Sequence, residues 1–204
     1  MYLLAKIFKK VQIPAIKNSS IDSSSKVASA AHIVDTTMGK YSYVGNYSTV
    51  IDADIGNFCS IADNVIIGGA SHPLEWVSTS PVFQKGKNIL KKNFFNHPFE
   101  TTSRTVVKND VWIGSNCLIK SGITIGSGAV IGMGSIVTKD VKAYEIWAGN
   151  PARFIRKRFD DETIERLLDS RWWDWDDSRI KKHSDLMNNI EEFIKKISSS
   201  NKNL

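Results

Sequence analysis

The chain has 204 residues, of which 42% are hydrophobic and 24% charged, and a formal net charge of +6. This composition is typical of one globular domain with or without an appendage, and it excludes disordered and fibrous proteins. No apolar run approaches the roughly 20 residues of a membrane span, and the apolar start is too short for a signal peptide, so we expect a cytoplasmic protein. The isolated Cys59 and Cys117 exclude a disulfide framework, and we expect both to be buried.

Residues 1–20 are predicted to be a lead segment. Within residues 1–12, apolar side chains fall on one helical face and lysines on the other: Leu3, Leu4, Ile7, Phe8 and Val11 against Lys6, Lys9 and Lys10. This pattern is typical of a helix that lies on an anionic membrane surface. A short helix or strand docked on the next repeat would show the same pattern, so weak membrane contact and docking are both open.

Residues 21–148 carry an internal repeat. From residue 107 onward, an aliphatic recurs every six positions: Val107, Ile113, Ile119, Ile125, Ile131 and Val137. Small or β-branched residues stand four places later, and the tract that begins at Ile21 has the same period with two slips of one residue. A helix needs a spacing of 3.6 and a plain strand needs alternation, so this period predicts short strands joined by tight turns and stacked as a solenoid.

The segment 69–105 interrupts the repeat. It contains three prolines, several aromatic residues and four lysines, and it lacks the six-residue period. We expect it to leave the solenoid as a long loop. Long excursions of this kind are more often functional than ornamental, so this loop is the first place to look for chemistry.

The segment 149–204 is predicted to leave the solenoid as an extended stretch and to continue as helices. Asp160 or Asp161 can cap a helix that runs through Thr163 to Leu168. A second helix is predicted from apolar residues at helical spacing: Ile180, Leu186, Met187, Ile190, Phe193, Ile194 and Ile197. We expect these helices to cover the open end of the solenoid.

Six short runs carry a more specific signature: Ile55-Gly-Asn-Phe-Cys-Ser-Ile-Ala, His72-Pro-Leu-Glu-Trp-Val-Ser-Thr-Ser-Pro-Val-Phe, Asn109-Asp-Val-Trp-Ile-Gly, Val137-Thr-Lys-Asp-Val, Gly149-Asn-Pro-Ala-Arg and Arg171-Trp-Trp-Asp-Trp. They resemble the hexapeptide-repeat acyltransferases, in particular the xenobiotic subgroup with type B chloramphenicol and streptogramin acetyltransferases. The run Val-Ser-Thr-Ser-Pro-Val-Phe is similar to that of sugar or polysaccharide O-acetyltransferases. The resemblance covers roughly residues 38–180.

The resemblance implies a mainly β protein, a left-handed parallel β-helix with an extruded active-site loop and C-terminal helices. It also implies a homotrimer with active sites between subunits and acetyl-CoA as the acetyl donor. A saccharide hydroxyl is the implied acceptor. N-acetylation of a nucleotide-linked amino sugar, or O-acetylation of an antibiotic, remains an alternative that the sequence does not resolve.

Acetyl transfer from a thioester to a hydroxyl needs a general base. Histidine, with a pKa of about 6.5, suits that role. Of the four histidines, His72 alone lies where the repeat breaks and where the family has its catalytic histidine. His97, in the second His-Pro pair, is the rival candidate, and Glu75 or Ser71 could orient the His72 ring.

The resemblance also assigns binding residues. Acceptor contacts are assigned to Tyr41, Tyr43, Trp76 and Trp112, and acetyl-CoA contacts to Trp112, Ser115, Met133, Thr138, Lys139, Arg153 and Arg156. The three cations of the donor set can bind phosphate, and a solvated basic surface is the alternative reading.

Other classes of function fit the sequence less well. The basic residues are scattered, so nucleic-acid binding is not predicted. The four histidines are widely separated, which argues against the three-histidine metal site of the β-helical carbonic anhydrases, and we expect no metal. A non-catalytic binding module remains open.

Overall fold

The structure is a computed structural model that describes residues 1, 3–4 and 11–200. Residues 5–10, which hold most of the predicted amphipathic segment, lie outside the described residues, as does the end of the predicted segment 149–204 beyond residue 200. Membrane contact through residues 1–12 therefore stays a prediction.

Within the described residues, short strands dominate. In chain order they are Ala15–Lys17 (β1), Ser20–Ile21 (β2), Lys26–Val27 (β3), His32–Met38 (β4), Tyr43–Val44 (β5), Thr49–Ile55 (β6), Ser60–Ile61 (β7), Ile66–Ile67 (β8), Thr105–Val107 (β9), Trp112–Ile113 (β10), Leu118–Ile119 (β11), Thr124–Ile125 (β12), Val130–Ile131 (β13), Ile136–Val137 (β14), Glu145–Gly149 (β15) and Ala152–Lys157 (β16).

These strands stack into three parallel ladders, one for each face of a prism. The first face holds β2, the ends of β4 and β6, β9 and β12. The second face holds β3, β5, β7, β10, β13 and β15. The third face holds β1, the starts of β4 and β6, β8, β11 and β14. The predicted parallel β-solenoid is confirmed, and its left-handedness stays an implication of the resemblance.

The two slips in the predicted period have a structural cause. Coils before the loop repeat every 17 residues, and coils after it every 18 as far as β14, with 16 in the last coil from β13 to β15. The shorter coils pass from the third face to the first without a break in β4 and β6, with Asp35 and Asp52 in the left-handed region at φ 49° and 53°. In the longer coils, Gly122 takes that conformation at the same corner, with φ +80°. The missing residue therefore lies at one corner of the prism.

The interior of the prism is formed by the periodic aliphatics, and Ile61, Ile113 and Ile131 are each 0% exposed. Both cysteines are buried and free, as predicted. Small polar side chains at the corners bond to the next coil: the Ser42 hydroxyl donates to the Gly56 carbonyl at 2.7 Å. Such bonds satisfy backbone groups that the aliphatic core cannot.

The solenoid begins earlier than the predicted domain, and its last strand ends at Gly149, one residue after the predicted end. Its ladder begins at Ala15, earlier than the predicted boundary at residue 21, because β1 pairs with the start of β4. The strand carries no inward aliphatic that is buried, so the sequence pattern missed it. At the other end, β16 folds back antiparallel onto β15.

Three helices follow, α1 (Asp161–Ser170), α2 (Asp177–His183) and α3 (Ile190–Ser200). Asp160 caps α1 by accepting a hydrogen bond from the Thr163 amide at 2.8 Å, as predicted. The second predicted helix was wrong as a single element, because a 3-10 turn at Ser184–Leu186 ends α2 and the Asn189 side chain accepts from the Glu192 amide to start α3. Among the described residues, no helix has the length and apolar character needed to cross a bilayer.

The helices lie along a corner of the prism rather than over its end alone. The Lys40 ammonium donates to the Trp175 carbonyl, and the Asn57 amide donates to the Trp173 carbonyl at 3.1 Å. Arg158, which lies between β16 and α1, also bonds to the prism by donating to the Gly128 carbonyl at 2.7 Å. We predicted that the helices would cover the open end of the solenoid. The contacts of the C-terminal segment instead extend over several coils.

Candidate active site

The extruded loop leaves the prism after β8, at the corner between the third and first faces. Gly68 has φ +76°, and a Cβ at that position would stand 2.1 Å from the Ile51 carbonyl oxygen, so only glycine fits this exit. The neck of the loop is closed where the Ser71 amide donates to the Thr101 carbonyl at 2.6 Å. His72 follows directly and is thereby held at the base of the loop.

The His72 ring is exposed and has a defined partner. Its Nδ1 lies 2.8 Å from the Thr79 carbonyl oxygen. A carbonyl can only accept, so Nδ1 carries the proton and donates, and Nε2 keeps its lone pair in the neutral ring. This is the nitrogen that a general base needs.

The expected orienting side chains do not hold this ring. The Ser71 hydroxyl donates to the Thr101 carbonyl at 3.2 Å instead. Glu75 lines a cavity, and in the described residues no hydrogen bond joins it to His72. Sequence reasoning missed Thr79 because a backbone carbonyl leaves no mark on residue type.

The cavity lies within the loop and has a volume of about 610 Å³. Its wall is largely aromatic or apolar, with one carboxylate: Glu75, Trp76, Val77, Ser78, Phe83, His97 and Pro98. Trp76 meets His97 edge-on, with ring centroids 5.3 Å apart. The predicted acceptor residue Trp76, which lies in the turn closed by the His72–Thr79 bond, therefore contacts the rival histidine His97 across the cavity wall.

The other predicted acceptor residues separate into two groups. Tyr43 and Trp112 are both aligned with Ser60 on the second face, and they are 46% and 52% exposed. Tyr41 lies at the neighbouring corner, with its ring 5.1 Å from that of Phe58. The pKa of Tyr41 is above its ordinary value because its hydroxyl is hydrogen-bonded to Asp177 of α2. Tyr41 therefore belongs to the docking surface of the helices in this structure.

The predicted donor residues Ser115 and Met133 lie one above the other at the corner between the second and third faces. The Gly134 amide donates to the Ser115 carbonyl at 2.9 Å, which places the turns at Ser115 and Met133 on top of each other. Met133 is 77% exposed. Thr138 and Lys139 follow β14 and are exposed at the corner between the third and first faces.

The four basic residues between positions 153 and 158 fall into two groups, one with acidic partners and one without. Arg158 is held by Asp110 at 3.3 Å, and Lys157 is paired with Asp161. Arg153 and Arg156 are exposed on β16 and donate only to backbone carbonyls of adjacent residues, at 3.0 and 2.9 Å, within the described part of the chain. These two guanidinium groups are therefore open to an anionic ligand.

Residues of the candidate site do not all meet within one chain. Trp112 lies on the second face, whereas the loop with His72 leaves the prism at the opposite corner. No ring contact or hydrogen bond joins His72 to Trp112 among residues 11–200. The described residues also hold no group of three His, Cys, Asp or Glu arranged for a metal ion.

Known proteins share this sequence pattern. The family described as bacterial transferase hexapeptide (six repeats) matches residues 104–139. A chloramphenicol acetyltransferase from Agrobacterium fabrum is 46% identical over 136 residues, which are 65% of this chain and 65% of that relative. The chain thus spans slightly less than two thirds of that protein. A relative from Lysinibacillus sphaericus, named probable macrolide acetyltransferase, is 41% identical over 151 residues, 71% of this chain and 83% of its own length.

Solved structures share the fold. The polySia specific acetyltransferase NeuO has a TM-score of 0.52 and 27% identity, with 83% of this chain and 73% of that chain covered. AntD, an N-acyltransferase from Bacillus cereus in complex with dTDP and 3-hydroxybutyryl-CoA, has a TM-score of 0.56 at 20% identity, with 83% and 96% covered. The match to most of the Lysinibacillus relative, together with the parallel solenoid, shows that the chain belongs to the hexapeptide-repeat acetyltransferases.

Proposed function

We propose that the protein transfers an acetyl group from acetyl-CoA to a hydroxyl of a saccharide or polysaccharide precursor, with His72 as the general base. The observation that carries this proposal is the bond from His72 Nδ1 to the Thr79 carbonyl, because it leaves an exposed Nε2 able to accept a proton. A general base requires a tautomer in which the ring nitrogen that faces the acceptor is unprotonated. Since acetyl-CoA is a cytoplasmic metabolite, we place the reaction in the cytoplasm.

The reaction needs no covalent enzyme intermediate. Nε2 takes the proton from the acceptor hydroxyl while its oxygen attacks the thioester carbonyl, and the tetrahedral intermediate then expels the thiolate of coenzyme A. The imidazolium returns the proton to that thiolate, so the products are an acetyl ester and free coenzyme A. The Thr79 carbonyl steadies the imidazolium during this cycle.

Acetyl-CoA is proposed to lie along the corner marked by Ser115 and Met133. Backbone groups of those stacked turns suit the pantetheine arm, and the exposed Arg153 and Arg156 suit phosphate groups. The family resemblance adds Trp112, on the adjacent second face, and Thr138 and Lys139, at the corner between the third and first faces, to the proposed donor site. AntD supports the assignment of a coenzyme A thioester as the donor, because its structure contains one.

We also propose a homotrimer of about 68 kDa, three times the 22.8 kDa of the chain. Because Trp112 and the loop with His72 lie on opposite sides of one prism, a neighbouring subunit can bring them together, and threefold closure gives three equal sites. Sedimentation equilibrium tests this. A monomer at micromolar concentration would contradict a shared site.

The acceptor class rests on the cavity. Trp76 and Phe83 offer flat apolar surfaces and Glu75 offers a carboxylate, a combination suited to the apolar face and the hydroxyls of a sugar ring. NeuO, which is described as a polySia specific acetyltransferase, supports the same class. The second candidate is antibiotic acetylation, which the 46% identity to a chloramphenicol acetyltransferase favours. N-acetylation of a nucleotide-linked amino sugar is the third.

An acceptor screen separates these candidates. Release of free coenzyme A is followed with acetyl-CoA and one acceptor at a time: oligosaccharides, nucleotide-linked amino sugars, chloramphenicol and a macrolide. We expect oligosaccharides to give the highest kcat/KM. Release that is highest with an antibiotic would transfer the assignment to the second candidate, and no release with any acceptor would favour a non-catalytic binding module.

A further inference from the structure

The outer part of the extruded loop, residues 85–95, forms a hydrogen-bonded turn that we call the basic tip. The Asn88 side-chain amide donates to the Lys92 carbonyl at 3.0 Å and the Asn93 amide donates to the Gln84 carbonyl at 2.5 Å. The Phe94 amide donates to the Val82 carbonyl at 2.7 Å and closes the base. Two asparagines thus hold the shape of a turn that has no buried apolar core of its own.

Aliphatic side chains stand at the apex of this turn. Ile89 is 92% exposed and Leu90 is 60% exposed, and Phe94 and Phe95 beside them are 65% and 57% exposed. Single exposed aliphatics are common, but neighbouring ones displayed on a fixed turn mark an interaction surface.

The charge around the apex has one sign. Lys85, Lys87, Lys91 and Lys92 are exposed, and the chain has no Asp or Glu between Glu75 and Glu100. None of these four lysines is in an ion pair within the described part of the chain. The Lys92 ammonium instead lies 4.6 Å from the centre of the Phe94 ring.

We propose that the basic tip docks on an anionic lipid surface, with Ile89 and Leu90 entering the headgroup region and the lysines contacting lipid phosphates. Apolar residues at the apex and cations behind them are what an interfacial anchor requires. An anionic glycan would contact the lysines and could pack on Phe94 or Phe95, but it would leave the exposed aliphatic pair Ile89 and Leu90 unexplained. Ile89 and Leu90 do not line the acceptor cavity, although Phe94 and Phe95 behind them contact its wall residues Phe83 and His97. The proposal does not depend on the proposed acetyl transfer.

The test is sedimentation of the full chain with vesicles of phosphatidylglycerol and phosphatidylethanolamine, compared with phosphatidylcholine alone. We expect binding to the anionic vesicles that weakens as salt rises. I89S/L90S should lower the partition coefficient at least about tenfold, and K87Q/K92Q roughly 10- to 30-fold. K181Q/K182Q removes the same charge from exposed lysines of α2 and should stay within about twofold of wild type.

Three results would overturn the proposal. One is equal sedimentation of wild type with anionic and neutral vesicles, or none with either. The second is equal loss of binding in K87Q/K92Q and K181Q/K182Q, which would indicate only net charge. The third is a change in the sedimentation mass of I89S/L90S, because that would assign the apex to contact with a second copy of the chain.

Discussion

In the prism, Ile113, Ile131 and Val137 are fully buried, whereas residues 69–104 of the extruded loop contain only Pro73 and Gln84 as buried residues. The prism is held by aliphatic packing and parallel ladders, and the loop by backbone and amide hydrogen bonds. Burial of apolar area is the dominant stabilising contribution, so the prism stabilises the fold while the loop can change its surface at low cost. This difference explains how one fold can keep its framework and present different acceptor surfaces.

The largest expected effect is on chemistry in the loop. His72→Ala should lower kcat by about 10²- to 10⁴-fold because the proton acceptor is lost. Since the ring is exposed, the free energy of unfolding should change by less than about 0.5 kcal/mol. Steady-state kinetics and urea unfolding measure the two. His97→Ala is the control, and wild-type kcat in His72→Ala with loss in His97→Ala would move the base to the cavity.

Adjacent residues of β10 should separate stability from binding. Ile113→Ala should lower the free energy of unfolding by about 3–4 kcal/mol, because a buried side chain leaves a cavity in the prism. Trp112→Ala should lower it by less than about 1 kcal/mol and raise KM for a substrate, because Trp112 is half exposed. Denaturant unfolding checks the pair. Equal losses of stability would mean that Trp112 is a packing residue.

The exposed arginines should affect the donor alone. Arg153→Ala should raise KM for acetyl-CoA about tenfold, the worth of a charge-assisted contact, with kcat within a few-fold. The defect should shrink with a donor that lacks the 3′-phosphate. Arg166→Ala, which removes an arginine paired with Glu162 on α1, is the matched control and should leave KM unchanged. Identical KM values for both variants would indicate that Arg153 is a solvated surface residue that does not bind the donor.

The smallest effect is expected where the loop rejoins the prism. Arg104 donates to Asp54 at 2.6 Å and holds the pKa of that carboxyl below its ordinary value of 3.8. The resulting stabilisation is present above that ordinary pKa and is lost as pH falls through the lower, folded-state pKa. Because the pair is well exposed, the contribution should stay below about 1 kcal/mol.

Arg104→Gln should remove this contribution and flatten the fall in stability below about pH 4. Thermal unfolding of wild type and variant between about pH 2 and about pH 7 measures the difference. An unchanged difference across that range would show that Arg104 does not act through Asp54.

Much of the fold could be predicted because it repeats. Each aliphatic from Val107 to Val137 predicts the same local structure, so single ambiguities average out. Non-repeating parts were harder. The break between α2 and α3 depends on Asn189, whose capping role competes with a strong apolar pattern. The strand β1 lacks buried aliphatics and gives no periodic signal.

The candidate site was only partly predictable for a different reason. The position of His72 is marked by the break in the repeat, but its partner is the Thr79 carbonyl, which any residue could supply. Tyr41 and Tyr43 are two residues apart, yet Tyr41 lies at a corner against Phe58, whereas Tyr43 lies in the same ladder as Trp112. Sequence proximity does not predict a shared site where the chain turns a corner.

Transfer of a labelled acetyl group tests the central claim most directly. The protein is mixed with acetyl-CoA labelled in the acetyl group, with and without an oligosaccharide acceptor, and both protein and acceptor are examined by mass spectrometry. We predict label in ester linkage on the acceptor, one free coenzyme A for each ester, and no label on the protein when the acceptor is absent. Label retained by the protein, or coenzyme A released equally fast without acceptor, would contradict direct transfer to a saccharide hydroxyl.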